Sequence, residues 1–248
     1  MLTCIYVAWS SKAGHQNIRL EFDEDKQMNL FDECIFVPAD QTKADKLADS
    51  ICTRISYSVY QDLFCCSHSH ENDVLDNIYR VLILAFKYGP SALVMYQYKD
   101  IMRHRDIRQA LGNEAYHFKE FLRFHEVRRG LYVAHFEPKS RVVEIVAAHF
   151  EDRMPSEHWM IIDDVHREAV IHPKDSRSYI RLLNDEEFNL LCETENVNDV
   201  YTDLWTLFFN SIAIKQRENK ACQDNHIPIW KRKHVIEFNH QPSYSSHQ

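Results

Sequence analysis

Glycine is scarce. Four glycines in 248 residues leave little material for glycine-rich phosphate loops or for the tight turns of an all-β barrel. The seven cysteines include no CxxC pair, so they fit neither a disulfide framework nor a zinc ribbon, and their odd number points to a reducing compartment. Cys65, Cys66, His68 and His70 lie close together. Their spacing matches no zinc pattern, and adjacent cysteines on a helix aim to different sides, which favours buried thiols and solvated imidazoles. No apolar run approaches the ~20 residues of a membrane span, and no basic stretch followed by an apolar one opens the chain. These absences predict a cytoplasmic protein.

What is present is ordinary in bulk and uneven in detail. A hydrophobic content of 45% with 27% charged residues suits a soluble globular chain able to bury a sizeable core. The net charge of −8 argues against a whole-surface grip on nucleic acid. Residues 1–100 carry net −5, residues 101–129 net +3, residues 130–214 net −9 and residues 215–248 net +3. Two basic segments therefore bracket an acidic one. Such basic runs are more often solvated helix faces than binding sites.

Periodicity and punctuation predict the elements. Met1–Trp9 reads as a helix, Ser10–Gln16 as a polar turn and Glu33–Pro38 as a short strand. Asp40 or Thr42 caps a helix through Ile55, Ser56–Phe64 forms another, and Val74–Tyr88 is amphipathic and ends at Gly89-Pro90. A further helix covers Leu93–Ala110, and Glu114–Glu120 has helical spacing. Arg123–Val127 and Leu131–Phe136 read as strands joined by a tight turn at Arg129-Gly130. Ser140 is placed to cap a helix whose apolar face is Val142, Val143, Ile145, Val146 and Phe150. Trp159–Ile162 and Ala169–Ile171 form a second strand pair, with Tyr179–Leu183 as a last strand. Asn184 or Asp185 then caps a helix to Cys192. A helix from Asn198 carries Trp205, Phe208 and Phe209, which at helical spacing are core rather than a base-stacking platform. Pro228 restarts the chain into Ile229–Phe238 with Lys231, Arg232 and Lys233 exposed, and residues 239–248 read as a disordered tail. The predicted class is α+β: a small, mostly antiparallel sheet with a strand-strand-helix-strand-strand core, surrounded by helices. Residues 1–110 form a mainly helical layer on a core of residues 111–238, as one compact domain.

Three long stretches in this core, HFKEFLRFHE, PKSRVVEIVAAHFEDRMP and WMIIDDVHREAVIHP, resemble the successive signatures of the family called probable DNA metabolism proteins. AWSSKAGHQNIRL near the start, and LWTLFFNSIAIKQRENKACQDNHIP with HVIEF near the end, extend the resemblance over nearly the whole chain. That family is a domain of unknown function found beside a DNA-repair radical-SAM protein and, in some relatives, fused to a uracil-DNA-glycosylase-like domain. The resemblance implies a DNA context and a radical-SAM partner. This chain has no SAM-binding glycine loop and no three-cysteine cluster of its own, so any such cofactor belongs to the partner. Relatives have a short strand and an acidic-glycine turn before the residues matching Leu2–Trp9. This sequence lacks them, as expected either if Met1 is an internal start or if this variant lacks an edge strand. Where relatives have an aromatic pair and a basic residue after the last proline, this chain has Ile229-Trp230-Lys231.

The residues matching those motifs define the candidate site. Glu114 and His117, three apart, share a helix face, and a carboxylate beside an imidazole suits acid–base work or a surface ion pair. His149 and Arg153, four apart, set an imidazole beside a guanidinium able to hold phosphate bidentately. Arg123, read as a strand residue, covers core with its stem or points into a cleft, and Phe124 follows it. Asp163, Asp164 and Arg167 occupy the second hairpin, with Asp164 the preferred acid. The C-terminal motif adds Arg217, Asn219 and Gln223, together with Pro228. Three functions follow as expectations. The first is a DNA-associated accessory holding phosphate through Arg123, Arg153 and Arg167. The second is a hydrolase or lyase on a nucleotide or small phosphorylated molecule, with Glu114 and His117 as acid and base. The third is a scaffold whose acidic middle docks a partner enzyme.

Overall fold

Side-chain caps start two of the helices in the first half of the chain. The computed structural model describes residues 1–22, 33–192 and 219–235, and the chain divides into two units, Met1–Gly112 and Asn113–Gln248. In the first unit, α1 spans Leu2–Ser10, α2 Gln41–Arg54, α3 Tyr57–Cys66 and α4 Val74–Tyr88. The Asp40 side chain accepts the Lys43 N–H at 3.1 Å to open α2, and Ser56 accepts Val59 N–H at 3.1 Å to open α3. Gly89, at φ 71°, stops α4 in a left-handed conformation. Leu75, Ile78, Val81, Leu82 and Ala85 are buried on the apolar face of α4, as the 3.6-residue period predicts. The AWSSKAGHQNIRL motif is tied down here. Arg80 donates to the carbonyls of His15 and Ile18, and His15 Nδ1 lies 2.7 Å from the Tyr79 hydroxyl.

Two expectations for this half are corrected. Glu33–Pro38 is not a strand; Ile35 and Phe36 are 69% and 73% exposed, and apolar composition alone does not make a strand without a ladder. Residues 89–94 form a 3₁₀ turn, and the two helices expected at 93–110 and 114–120 are a single helix, α5, Lys99–Phe121. Only Leu111-Gly112-Asn113 separates them, and a lone glycine weakens a helix by about 1 kcal/mol without breaking it.

The second unit is built on one sheet in the order β1-β2-β3-β4-β5. Its strands are β1 His125–Arg128, β2 Leu131–Phe136, β3 His158–Asp163, β4 Glu168–His172 and β5 Tyr179–Leu182, with α6, Val143–Arg153, between β2 and β3. The β2–β3 pair is parallel and the other three pairings are antiparallel. The fold is α+β with a mostly antiparallel sheet, as the sequence predicts. Gly130, at φ 78°, makes the β1–β2 turn. One sheet face buries Val133, Ile162 and Ala169 against Phe188 and Leu191 of α7, Asp185–Cys192. Toward α6, the Phe124 ring meets Phe150 at 5.0 Å and Trp159 at 6.2 Å. Asn184 and Glu187 exchange bonds of 2.8 and 3.2 Å in a capping box at the start of α7. A short helix α8, Lys220–His226, and a 3₁₀ turn at Ile229–Lys231 follow.

Local details again differ from expectation. Arg123 and Phe124 precede β1 rather than lying in it. Ser140 does not cap α6, whose N-cap is Val142 with no side-chain bond, because the serine stands two residues too early. Of the three basic residues expected exposed, only Lys233 is; Lys231 and Arg232 are half-buried. The helix expected from Asn198, with Trp205, Phe208 and Phe209, and the tail 239–248 lie outside the described residues.

Candidate functional site

The parallel pair sets the site. Phe136 ends β2 opposite Asp163 at the end of β3, and the next residue, Asp164, donates its N–H to the Phe136 carbonyl at 3.0 Å. Glu137 and Asp164 therefore leave the carboxyl ends of neighbouring parallel strands, where crossover loops diverge and ligands bind in open α/β sheets. His135, buried in β2, sets Nδ1 2.9 Å from Asp164 Oδ1. His234 approaches from the C-terminal segment, with Nε2 3.6 Å from Asp164 Oδ2 and 3.9 Å from Glu137 Oε1. The His135 and His234 rings lie 6.4 Å apart, inclined by 24°. His117, His135 and His234 line one cleft floored by Phe118 and Phe136.

The rim of this cleft is cationic and aromatic. Lys139 Nζ and Lys231 Nζ lie 4.7 and 5.0 Å from the Trp230 ring centroid, and Lys231 also lies 5.2 Å from Phe118. Burial holds the Lys231 ammonium below the usual lysine range; Glu114 opposes that shift and Lys139 adds to it. Lys233 pairs with Glu137.

The predicted site residues divide. His117 and Asp164 belong to this cleft. Glu114 is buried in α5, and its Oε1 accepts the N–H of Lys139 at 2.7 Å and of Ser140 at 3.4 Å, so its described bonds fix the loop after β2. Phe124 is part of the aromatic core against α6. Arg123 donates to the carbonyls of Glu120 at 3.0 Å and Leu122 at 3.2 Å. Arg167, at φ 55°, pairs with Asp185 and covers the Phe188 ring at 4.9 Å. His149 is half-buried on α6 beside Phe150, and Arg153 is exposed in the last turn, where a cation suits the helix dipole. Asp163 is fully buried and closes the β3–β4 turn by accepting the N–H groups of Val165 and His166. Asn219 is exposed just before α8; Gln223 lies on α8, and Arg217 is outside the described residues.

Sequence reasoning missed His135, Glu137, Lys139, Trp230 as a rim residue, Lys231 and His234. The available signal was a histidine near the end of the apolar run LYVAHF, with an acid two residues on. Its importance depends on β2 pairing with β3 in parallel, which no local pattern reveals.

A second set lies in the first unit. His104 Nε2 is 2.6 Å from Asp62 Oδ2 and 3.7 Å from Cys66 Sγ. Arg108 Nε sits 3.4 Å from the other Asp62 oxygen, and burial pushes the Cys66 thiol up to about 12. This set has neither a free carboxylate nor an activated thiol.

Fold and site together define an α+β protein with an imidazole–carboxylate cluster at the carboxyl ends of the parallel β2–β3 pair. The chain belongs to the DUF4130 family, described as a domain of unknown function, whose model matches residues 72–237. The matched span contains every residue of the cluster. No curated protein and no solved structure matches the chain.

Proposed function

We propose that this protein is a nucleic-acid-associated component of DNA repair or metabolism that acts beside a radical-SAM enzyme and takes DNA at the cleft of its second unit. The observation that carries the reading is the rim. Lys139 and Lys231 flank the Trp230 ring within 5.0 Å, and Trp230 is 38% exposed. An aromatic face with ammonium groups beside it offers stacking to a base and charge to the adjacent phosphates of a single strand. The long motifs shared with the DNA metabolism family support the DNA context and the radical-SAM partner. The phosphate contacts expected of Arg123 and Arg167 move to these lysines, because both arginines are engaged elsewhere.

The test is fluorescence anisotropy of a single-stranded oligonucleotide across a salt series. Lys139→Ala should weaken binding and reduce the salt slope by about one unit. Trp230→Ala should cost about 1–3 kcal/mol at every salt concentration. Affinities equal to wild type for both variants would sink the reading. A nucleotide hydrolase or lyase is the second reading, supported by the 2.9 Å His135–Asp164 pair, in which a carboxylate orients an imidazole for proton transfer.

A further inference from the structure

We infer that Glu137, Asp164 and His234 form a binding site for one divalent transition-metal cation, of the kind represented by Mn²⁺ or Zn²⁺. One ligand atom from each of the three lies within 4.8 Å of the other two. The distances from His234 Nε2 to Asp164 and Glu137, 3.6 and 3.9 Å, exceed a hydrogen bond of about 2.7–3.2 Å. They are close to the separation of about 3.3–3.6 Å that tetrahedral ligands at bond lengths of about 2.0–2.2 Å would have from one another. A contraction of a few tenths of an ångström would bring His234 to ligand spacing from both carboxylates, whose own separation lies within 4.8 Å.

The chemistry and the surroundings agree. Two carboxylates and an imidazole are a mixed set suited to Mn²⁺, Fe²⁺ or Zn²⁺ rather than to Cu(I), which prefers thiolates. Asp164 uses one oxygen toward His135 at 2.9 Å and presents the other toward His234. A ligating carboxylate held this way by a buried neighbour is the usual arrangement behind a metal ligand. Both acids leave the carboxyl ends of the parallel pair, so rigid strands fix their spacing. Lys233, an exposed lysine, places its ammonium on Glu137 and so supplies positive charge where the cation would sit.

The site shares the cleft of the proposed DNA contact but none of the residues altered in its test, and it is probed with metal alone. Failure of one reading is thus distinguishable from failure of the other. The experiment is titration of tag-free full-length protein with Mn²⁺, followed by electron paramagnetic resonance, and with Zn²⁺ by calorimetry. One ion should bind per chain, and Asp164→Asn and His234→Gln should each weaken it at least about tenfold, as loss of a ligand or its support does. His135→Phe should weaken it by a similar factor through Asp164. Absence of binding, or unchanged affinity in both Asp164→Asn and His234→Gln, overturns the site. Should those variants fail to fold, Lys233→Ala decides. It removes the competing ammonium, so tighter Mn²⁺ binding supports the site and unchanged affinity refutes it.

Discussion

Replacing Glu114 separates a structural carboxylate from a catalytic one. The side chain is 7% exposed, and one oxygen accepts the N–H groups of Lys139 at 2.7 Å and Ser140 at 3.4 Å. A hydrogen bond to a charged group contributes about 1.5–3 kcal/mol, and a buried donor left unpaired costs about 1–3 kcal/mol. Lys139 is exposed and water can replace the lost acceptor there, whereas Ser140 is 2% exposed and cannot be reached. Glu114→Ala should therefore destabilise the second unit by about 3 kcal/mol, a melting shift of about 6–12 °C for a chain of this size. Glu114→Gln keeps an acceptor at the same position and should cost about 1 kcal/mol. Thermal and urea unfolding, followed by circular dichroism, measure both. Equal stability of Glu114→Ala and wild type, or equal losses for Ala and Gln, would refute the role assigned to this residue. In any working assay, a general base at this position would instead make Gln as damaging to turnover as Ala.

Two further outcomes concern the first unit. Burial works to raise the Asp62 carboxyl, but the hydrogen bond and charge of His104, with those of Arg108, outweigh it and leave its pKa below the ordinary 3.8. Its contribution to stability is thus complete above that value and is lost as the pH falls through the depressed one; Asp62→Asn should flatten this acid limb in unfolding curves, and an unchanged limb would refute the coupling. Cys34 is exposed whereas Cys66 is buried with its thiol at about 12, so a short iodoacetamide pulse at pH 8 should label Cys34 well before Cys66, and mass spectrometry showing the reverse order would overturn that assignment.

The elements were legible where local chemistry decides them. Asp40, Ser56 and Asn184 each sit at a helix start with a side-chain oxygen, and Gly89 and Gly130 take the left-handed backbone that their positions suggest. Where tertiary partners decide, the sequence was silent. Glu33–Pro38 has a strand-like composition, and Arg123 stands among apolar neighbours without joining β1. The site shows the same division. His117 and Asp164 stand out as titratable groups in distinctive stretches, but their company comes from β2, the following loop and the C-terminal segment. Helix spacing put Glu114 beside His117, and no spacing rule could show that the glutamate reaches across to residues 139 and 140.

The parallel β2–β3 pairing also has a kinetic side. The β1–β2 and β3–β4 hairpins close over a few residues, and each can zip locally. Joining β2 to β3 requires the α6 crossover to fold back, and seating His234 requires a much longer chain closure. The cleft therefore depends on contacts of long sequence separation, which are expected to form after the local hairpins. A partly folded chain would hold both hairpins and still lack the cluster, so the cluster's chemistry reports whether the whole unit has reached its native state.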